Sequence, residues 1–244
     1  MAEKLLKHCG MHFISKLVIL LSVIGACLFG GSSADAALMT YWSFNSTTFS
    51  GTSGSSTPDV GSATFTATAA GGGSGIVLSS PVGTTVNAAN STVAGTGLGF
   101  GSGKFPITGS AAADFFDITF TRGSATGFVV TYAANPQGNS IQNRWQYKIN
   151  NGSFVDFSTV SLSGNAFTTS TVDFSGVAGL DTATTITFRN IIEDANNSNN
   201  RSISFDNLQI NAVPEPAAFA LAIFGLVFVG RSAARSLRGF KAKA

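Results

Sequence analysis

The chain has 244 residues, of which 44% are hydrophobic, only 11% are charged and 28 are glycine, with a formal net charge of +2. That balance sums unlike regions: residues 37–216 carry six basic side chains against ten acidic ones, a balance of −4, while the tail from Arg231 holds five basic residues and no acid. The acidic middle removes the footing for nucleic-acid binding. Because Cys9, Cys27, His8 and His12 all lie before residue 37, the rest of the chain has no disulfide, thiol nucleophile, histidine triad or ordinary zinc site.

Residues 1–36 read as a signal peptide. Lys4, Lys7 and Lys16 form a basic region, Leu17 to Gly30 an apolar one, and Ala34-Asp35-Ala36 a small-x-small cleavage site that leaves Ala37 as the mature N-terminus. A lipoprotein signal ending at Cys27 is the competing reading, weakened by the better cleavage site downstream. The chain is thus expected to be exported.

From residue 37 to 212 the pattern is that of an all-β domain. In "DFFDITFTR", Phe116, Ile118 and Phe120 oppose Asp117, Thr119 and Thr121; in "NRWQYKIN", Trp145, Tyr147 and Ile149 oppose Arg144, Gln146 and Lys148. Such period-two alternation marks half-buried strands. Strands are expected near 38–44, 62–69, 114–121, 126–134, 142–150, 153–157, 167–174, 183–192 and 201–211. The Gly/Ser/Thr-rich part of 37–110, with "GGGSG" at 71–75, reads as strands with long turns or as a loosely ordered stretch. "NPQGN" at 135–139 and "NNGS" at 150–153 are turns, the latter centred on Asn-Gly. In "SISFDNLQI" the apolar side shifts from Ile203 and Phe205 to Leu208 and Ile210, which implies a bulge at Asp206 and Asn207. The expected architecture is an antiparallel β-sandwich, jelly-roll-like.

Candidate sites in this domain are few. Without Cys or His, catalysis would need a carboxylate pair as in a glycosidase, with Asp114 and Asp117 flanking a strand or Glu193 and Asp194 in a loop. Adjacent strand residues face opposite ways, so no catalytic residue is assigned and the chain is not expected to be an enzyme. Oxygen donors at Asp194 and Asn196, joined by Asp206, offer a candidate calcium site at a sandwich edge. Calcium is the one cofactor the sequence suggests. Trp145 and Tyr147, if exposed, would stack on sugar rings, whereas Tyr41, Trp42 and Phe44 read as core.

The last residues form a separate unit. Pro214 and Pro216 hold Val213 to Pro216 as a stiff, extended strip. Ala217 to Gly230 then carry no charge; a helix extended over 217–234 crosses a bilayer if Arg231, Arg235 and Arg238 snorkel, and these arginines retain it on the cytoplasmic side.

Val213-Pro214-Glu215-Pro216, a short apolar helix and an Arg-rich end, in that order over residues 213–244, resemble the PEP-CTERM sorting signal of Gram-negative bacteria. The resemblance implies recognition by an exosortase, an integral-membrane cysteine protease or transpeptidase, which removes the tail near the Pro-Glu-Pro triplet at the inner membrane. It implies delivery to the cell surface or extracellular matrix, commonly alongside exopolysaccharide and biofilm, and says nothing about the domain before it. The resulting expectation is an exported matrix protein with a structural or adhesive role. The alternatives are a carbohydrate-binding module acting on the exopolysaccharide, a carboxylate glycosidase, or a plain single-pass protein that keeps its tail.

Overall fold

Segments that alternate apolar and polar residues bury one face of a pleated strand and hydrate the other, and this periodicity organises the domain. The computed structural model describes residues 36–69, 77–89, 95–103, 105, 114–194 and 201–214. Residues 1–35 of the expected signal peptide, Glu215 and Pro216 of the sorting motif, the apolar run at 217–234 and the basic tail lie outside the described residues, as does "GGGSG". Among the described residues no helix is long and apolar enough to cross a membrane.

Among the described residues twelve strands follow one another: β1 (Ala37–Trp42), β2 (Ser53–Ser56), β3 (Ala63–Thr68), β4 (Val77–Ser79), β5 (Leu98–Gly103), β6 (Asp114–Thr121), β7 (Ala125–Asn135), β8 (Ile141–Ile149), β9 (Val155–Leu162), β10 (Thr168–Asp173), β11 (Thr185–Asp194) and β12 (Arg201–Pro214). All nine expected strands are present. The other three, β2, β4 and β5, lie in the Gly/Ser/Thr-rich stretch, where small side chains hide the alternation. All pairings are antiparallel. Sheet A has the order β10-β7-β12-β5-β4 with β1 also on β12, and sheet B the order β2-β3-β6-β11-β8-β9.

The two sheets share one core. Phe116 on β6 meets Phe205 on β12 at 5.3 Å between ring centroids, Tyr132 on β7 meets Trp145 on β8 at 5.5 Å, and Phe128 on β7 meets Phe120 and Phe188 at 5.5 and 6.3 Å. The antiparallel sandwich expected from the sequence is therefore the observed architecture. Tyr41, Trp42 and Phe44 are buried as expected.

β12 organises sheet A. Along one edge it pairs with β7 from Ser204 to Pro214; along the other, its first half pairs with β5 and its second half with β1. The exchange of partners falls at the expected bulge: register against β7 shifts between Asp206 and Gln209, and Asn207 adopts φ 49°. Two successive residues leave the core side there, which carries the apolar face from Phe205 to Leu208. Val213 and Pro214 are still in the ladder, opposite Thr126 and Ala125, so the extended strip begins inside the sheet and not after it.

The turns differ in detail from the sequence reading. The β8–β9 turn closes with the Gly152 N–H donating to the Ile149 carbonyl at 3.0 Å, so its centre is Asn150-Asn151, one residue earlier than Asn-Gly. Asn150 takes φ 50°, and its Oδ1 accepts the backbone N–H groups of Thr184 and Thr185, each at 3.0 Å. This tie to a distant loop outweighs the local preference for glycine. At 136–139, Gln137 and Gly138 both have positive φ, 51° and 80°, as a type I′ turn requires.

Candidate functional site

Of the two aromatic residues that would stack on a sugar if exposed, Trp145 is buried and Tyr147 half-buried. Trp145 is on the core face of β8, 0% exposed, and packs against Phe116 at 5.7 Å and Phe174 at 6.3 Å. Tyr147 shares that face and is half-buried, edge-on to Phe157 at 6.3 Å. Since β8 pairs on both sides within sheet B, its period-two alternation had to put one set of side chains in the core. The larger, apolar set went there.

The outward face of sheet B carries a different arrangement. The Arg189 guanidinium lies between the rings of Phe115 and Phe154, at 4.1 and 3.8 Å from their centroids, and gives two 2.7 Å hydrogen bonds to Asp117. Arg144 likewise donates from Nη2 to Glu193 Oε1 at 2.8 Å and from Nη1 to Asp156 Oδ1 at 2.7 Å. The neighbouring Gln146 and Arg144 donors hold the Asp156 carboxyl below its ordinary range, and Glu193 keeps Arg144 still more firmly charged. Donors, acceptors and the inner ring faces here are engaged with one another, as in a self-contained structural plate.

The carboxylate pairs also come apart. Asp114 is buried on the core face of β6 while Asp117 faces outward, so the two lie on opposite sides of sheet B. Glu193 and Asp194 are the last residues of β11 and not a loop, and alternation again separates them: Glu193 pairs with Arg144 and Asp194 with Arg201 at 3.2 Å. Neither pair can flank a glycosidic bond.

The expected calcium donors are likewise dispersed. Asn196 lies outside the described residues, and Asp194 is held by Arg201. Asp206 sits on the outer side of the β12 bulge, where its Oδ2 accepts the Thr84 N–H at 2.6 Å. Next to it, Asn207 donates to the carbonyls of Thr84 and Val86 at 2.6 and 2.9 Å and accepts from the Tyr41 hydroxyl at 2.6 Å. This knot fastens the 81–88 segment to sheet A, and burial pushes the Asp206 carboxyl up to about 6. Among the described residues no group of three or more acidic, His or Cys side chains could hold a metal.

A concave site does exist, on the outward face of sheet A. In "LGFGSG" of β5, Leu98 and Phe100 point into the core, so Gly99 and Gly101 form a bare floor. A Cβ on Gly99 would stand 2.6 Å from Ser79 Oγ and 3.0 Å from Pro81 Cδ, which shows how closely the β4 side approaches. Ser79 makes one wall, Ser202, Ser204 and Gln137 the other, and Arg201 closes an end of a groove of about 480 Å³. Gln137 is locked there from the type I′ turn: its Nε2 donates to Ser204 Oγ at 2.9 Å and its Oε1 accepts from Ser202 Oγ at 2.7 Å. Arg201 is oriented by Asp194 and, through Nη1, by Asn139 Oδ1 at 2.6 Å. The lining is hydroxyl, amide and one guanidinium whose charge Asp194 balances. A second open groove of about 500 Å³ beside β2 and β3 is lined chiefly by hydroxyls, including those of Ser46, Thr48, Ser55, Thr57 and Thr64. The sheet A groove was legible only as glycine at every second position of 98–103, a signal absorbed into the low-complexity reading of that stretch.

No protein-family model matches the chain, and no curated protein does either. Similar solved structures include a CBM4 structure at 14% identity, covering 61% of this chain and 86% of that one with a TM-score of 0.42. The CBM22-1 xylan-binding domain from Paenibacillus barcinonensis Xyn10C is similar at 10% identity over 76% of this chain and 100% of that one, TM-score 0.42. The enzymatically active domain of bacteriophage CBA120 tailspike protein 4 is similar at 13% identity over 57% of this chain, TM-score 0.39, and only 18% of that chain is spanned.

Proposed function

We propose that this chain is an exported, non-catalytic β-sandwich of the jelly-roll kind that binds polysaccharide through the groove on sheet A. The observation that carries the reading is the groove itself: a glycine floor under walls of Ser79, Ser202, Ser204 and Gln137, with Arg201 at one end. A flat, hydroxylated chain needs shallow concavity and many donor–acceptor groups, and this lining supplies both. Recognition would run through hydrogen bonds and not ring stacking, because both tryptophans are 0% exposed. That replaces the Trp145 and Tyr147 route with a different one. Absence of turnover is supported by the way Asp117, Glu193 and Asp194 are each engaged with an arginine.

Delivery by an exosortase is the second part of the proposal, and the motif at 213–216 supports it. Ala37, the expected mature N-terminus, pairs with Ala212, so chain entry and exit occupy neighbouring strands. With Val213 and Pro214 held in the ladder, cleavage is expected beyond Pro214.

Affinity electrophoresis through gels containing neutral polysaccharides, acidic ones, or the exopolysaccharide of the native host tests the binding. Wild type is expected to be retarded, and Gly101→Val, which fills the floor, together with Gln137→Ala, which removes a wall, to run unretarded while staying folded. Equal retardation of wild type and both variants would move binding away from the groove; no retardation in any gel would leave a purely structural matrix role. Intact mass from hosts with and without the exosortase tests delivery, and an uncut tail in both would defeat it.

A further inference from the structure

Deep in the sandwich, two amides are incompletely satisfied. Asn190 lies on the core face of β11, 0% exposed, in register with Trp145 on β8 and Phe116 on β6. Among the described residues neither its Nδ2 nor its Oδ1 has a protein hydrogen-bond partner. Asn143, also 0% exposed, is in register with Ile192 and so is the diagonal neighbour of Asn190 on the same face. Its Nδ2 donates to the Tyr132 hydroxyl at 3.1 Å, but its Oδ1 has no partner among the described residues. The Tyr132 hydroxyl also accepts from Trp145 Nε1 at 3.4 Å, so it is already committed.

The large majority of buried polar groups in folded proteins are satisfied by protein or by ordered water. Diagonal neighbours on a sheet stand about 7–8 Å apart at their backbones, a separation that two amides and a bridging water can span. We propose that Asn143 and Asn190 enclose an internal hydration site, occupied by one or two ordered waters. The atoms to be served are one donor, Asn190 Nδ2, and two acceptors, Asn143 Oδ1 and Asn190 Oδ1. Water supplies both functions, accepting from Nδ2 and donating to Oδ1. A bare cation could meet the two oxygens but would face the Nδ2 hydrogens, so the mixed set selects water. The site ties β8 to β11 where side-chain apolar packing alone would leave both amides stranded.

Two measurements decide this. A crystal structure at about 1.8 Å or better is expected to show ordered density within hydrogen-bond distance of both amides. Chemical denaturation of Asn190→Leu, Asn143→Leu and the double variant gives the independent reading. If water bridges the pair, Asn190→Leu displaces it and strips Asn143 Oδ1, lowering the folded-to-unfolded ratio by about tenfold or more, and the double variant regains part of that loss. The proposal is overturned if Asn190→Leu raises the ratio, as removal of a dry, orphaned amide would. It is equally overturned if the density shows both amides turned onto protein partners with nothing between them.

Discussion

Phe116 is one of the side chains through which the two sheets hold each other, and Phe116→Ala is a sharp test of the core. The ring is 1% exposed and touches three others: Phe65 at 5.4 Å, Trp145 at 5.7 Å and Phe205 at 5.3 Å, the last across the sheet interface. Truncating a buried Phe to Ala costs about 3–5 kcal/mol, from lost transfer energy plus the cavity left behind. Three aromatic partners, each contributing about 0.5–1.5 kcal/mol beyond area burial, place this site in the upper half of that range, at roughly 4–5 kcal/mol. Against a typical domain stability of about 5–15 kcal/mol, such a loss leaves a marginal fold. Urea denaturation followed by tryptophan fluorescence measures it, with Trp145 beside the cavity as reporter. Phe157→Ala is the internal comparison: Phe157 is 37% exposed and stacks on Phe174 at 4.4 Å, so its loss should cost about 1–2 kcal/mol. A Phe116→Ala cost under about 2 kcal/mol, or one no larger than that of Phe157→Ala, would refute the view that this ring joins the sheets.

Asp206 should make stability depend on pH in the direction opposite to most carboxylates. Its folded value is raised to about 6 from an ordinary 3.8, mainly by burial, so between those values the folded state holds more protons than the unfolded one. The contribution is full below the unfolded value and is lost as pH rises through about 6; relative to Asp206→Asn, wild type should lose stability between pH 4 and 7, and parallel pH profiles would contradict this. At Asn150, φ 50° alone would favour glycine, yet its Oδ1 holds the N–H groups of Thr184 and Thr185. Asn150→Gly is therefore expected to destabilise by about 1–2 kcal/mol in thermal or urea unfolding, and a gain in stability would show that the turn conformation dominates.

Much of the domain was readable along the chain. Alternation in 114–121, 142–150 and 183–192 marked β6, β8 and β11, and the odd spacing from Phe205 to Leu208 marked the bulge, because period and its interruption are local properties of a pleated strand. The acidic balance of residues 37–216, the absence of Cys and His from them, and the 213–216 motif are likewise properties of the linear chain.

The site was not readable in that way. Alternation sorts side chains into two sets but does not say which set meets the other sheet; Trp145 went to the core once β8 was enclosed between β11 and β9. Asp194 and Asp206, close in sequence, ended in separate networks because one lies in sheet B and the other on the outer side of sheet A. The groove required β5 to pair with β12 on one side and β4 on the other, so that two glycines, Ser79 and Gln137 from distant parts of the chain came to line one concavity. Local periodicity is set by the stereochemistry of consecutive residues, whereas neighbours across a sheet are set by long-range pairing and burial, and a binding surface is made of the latter.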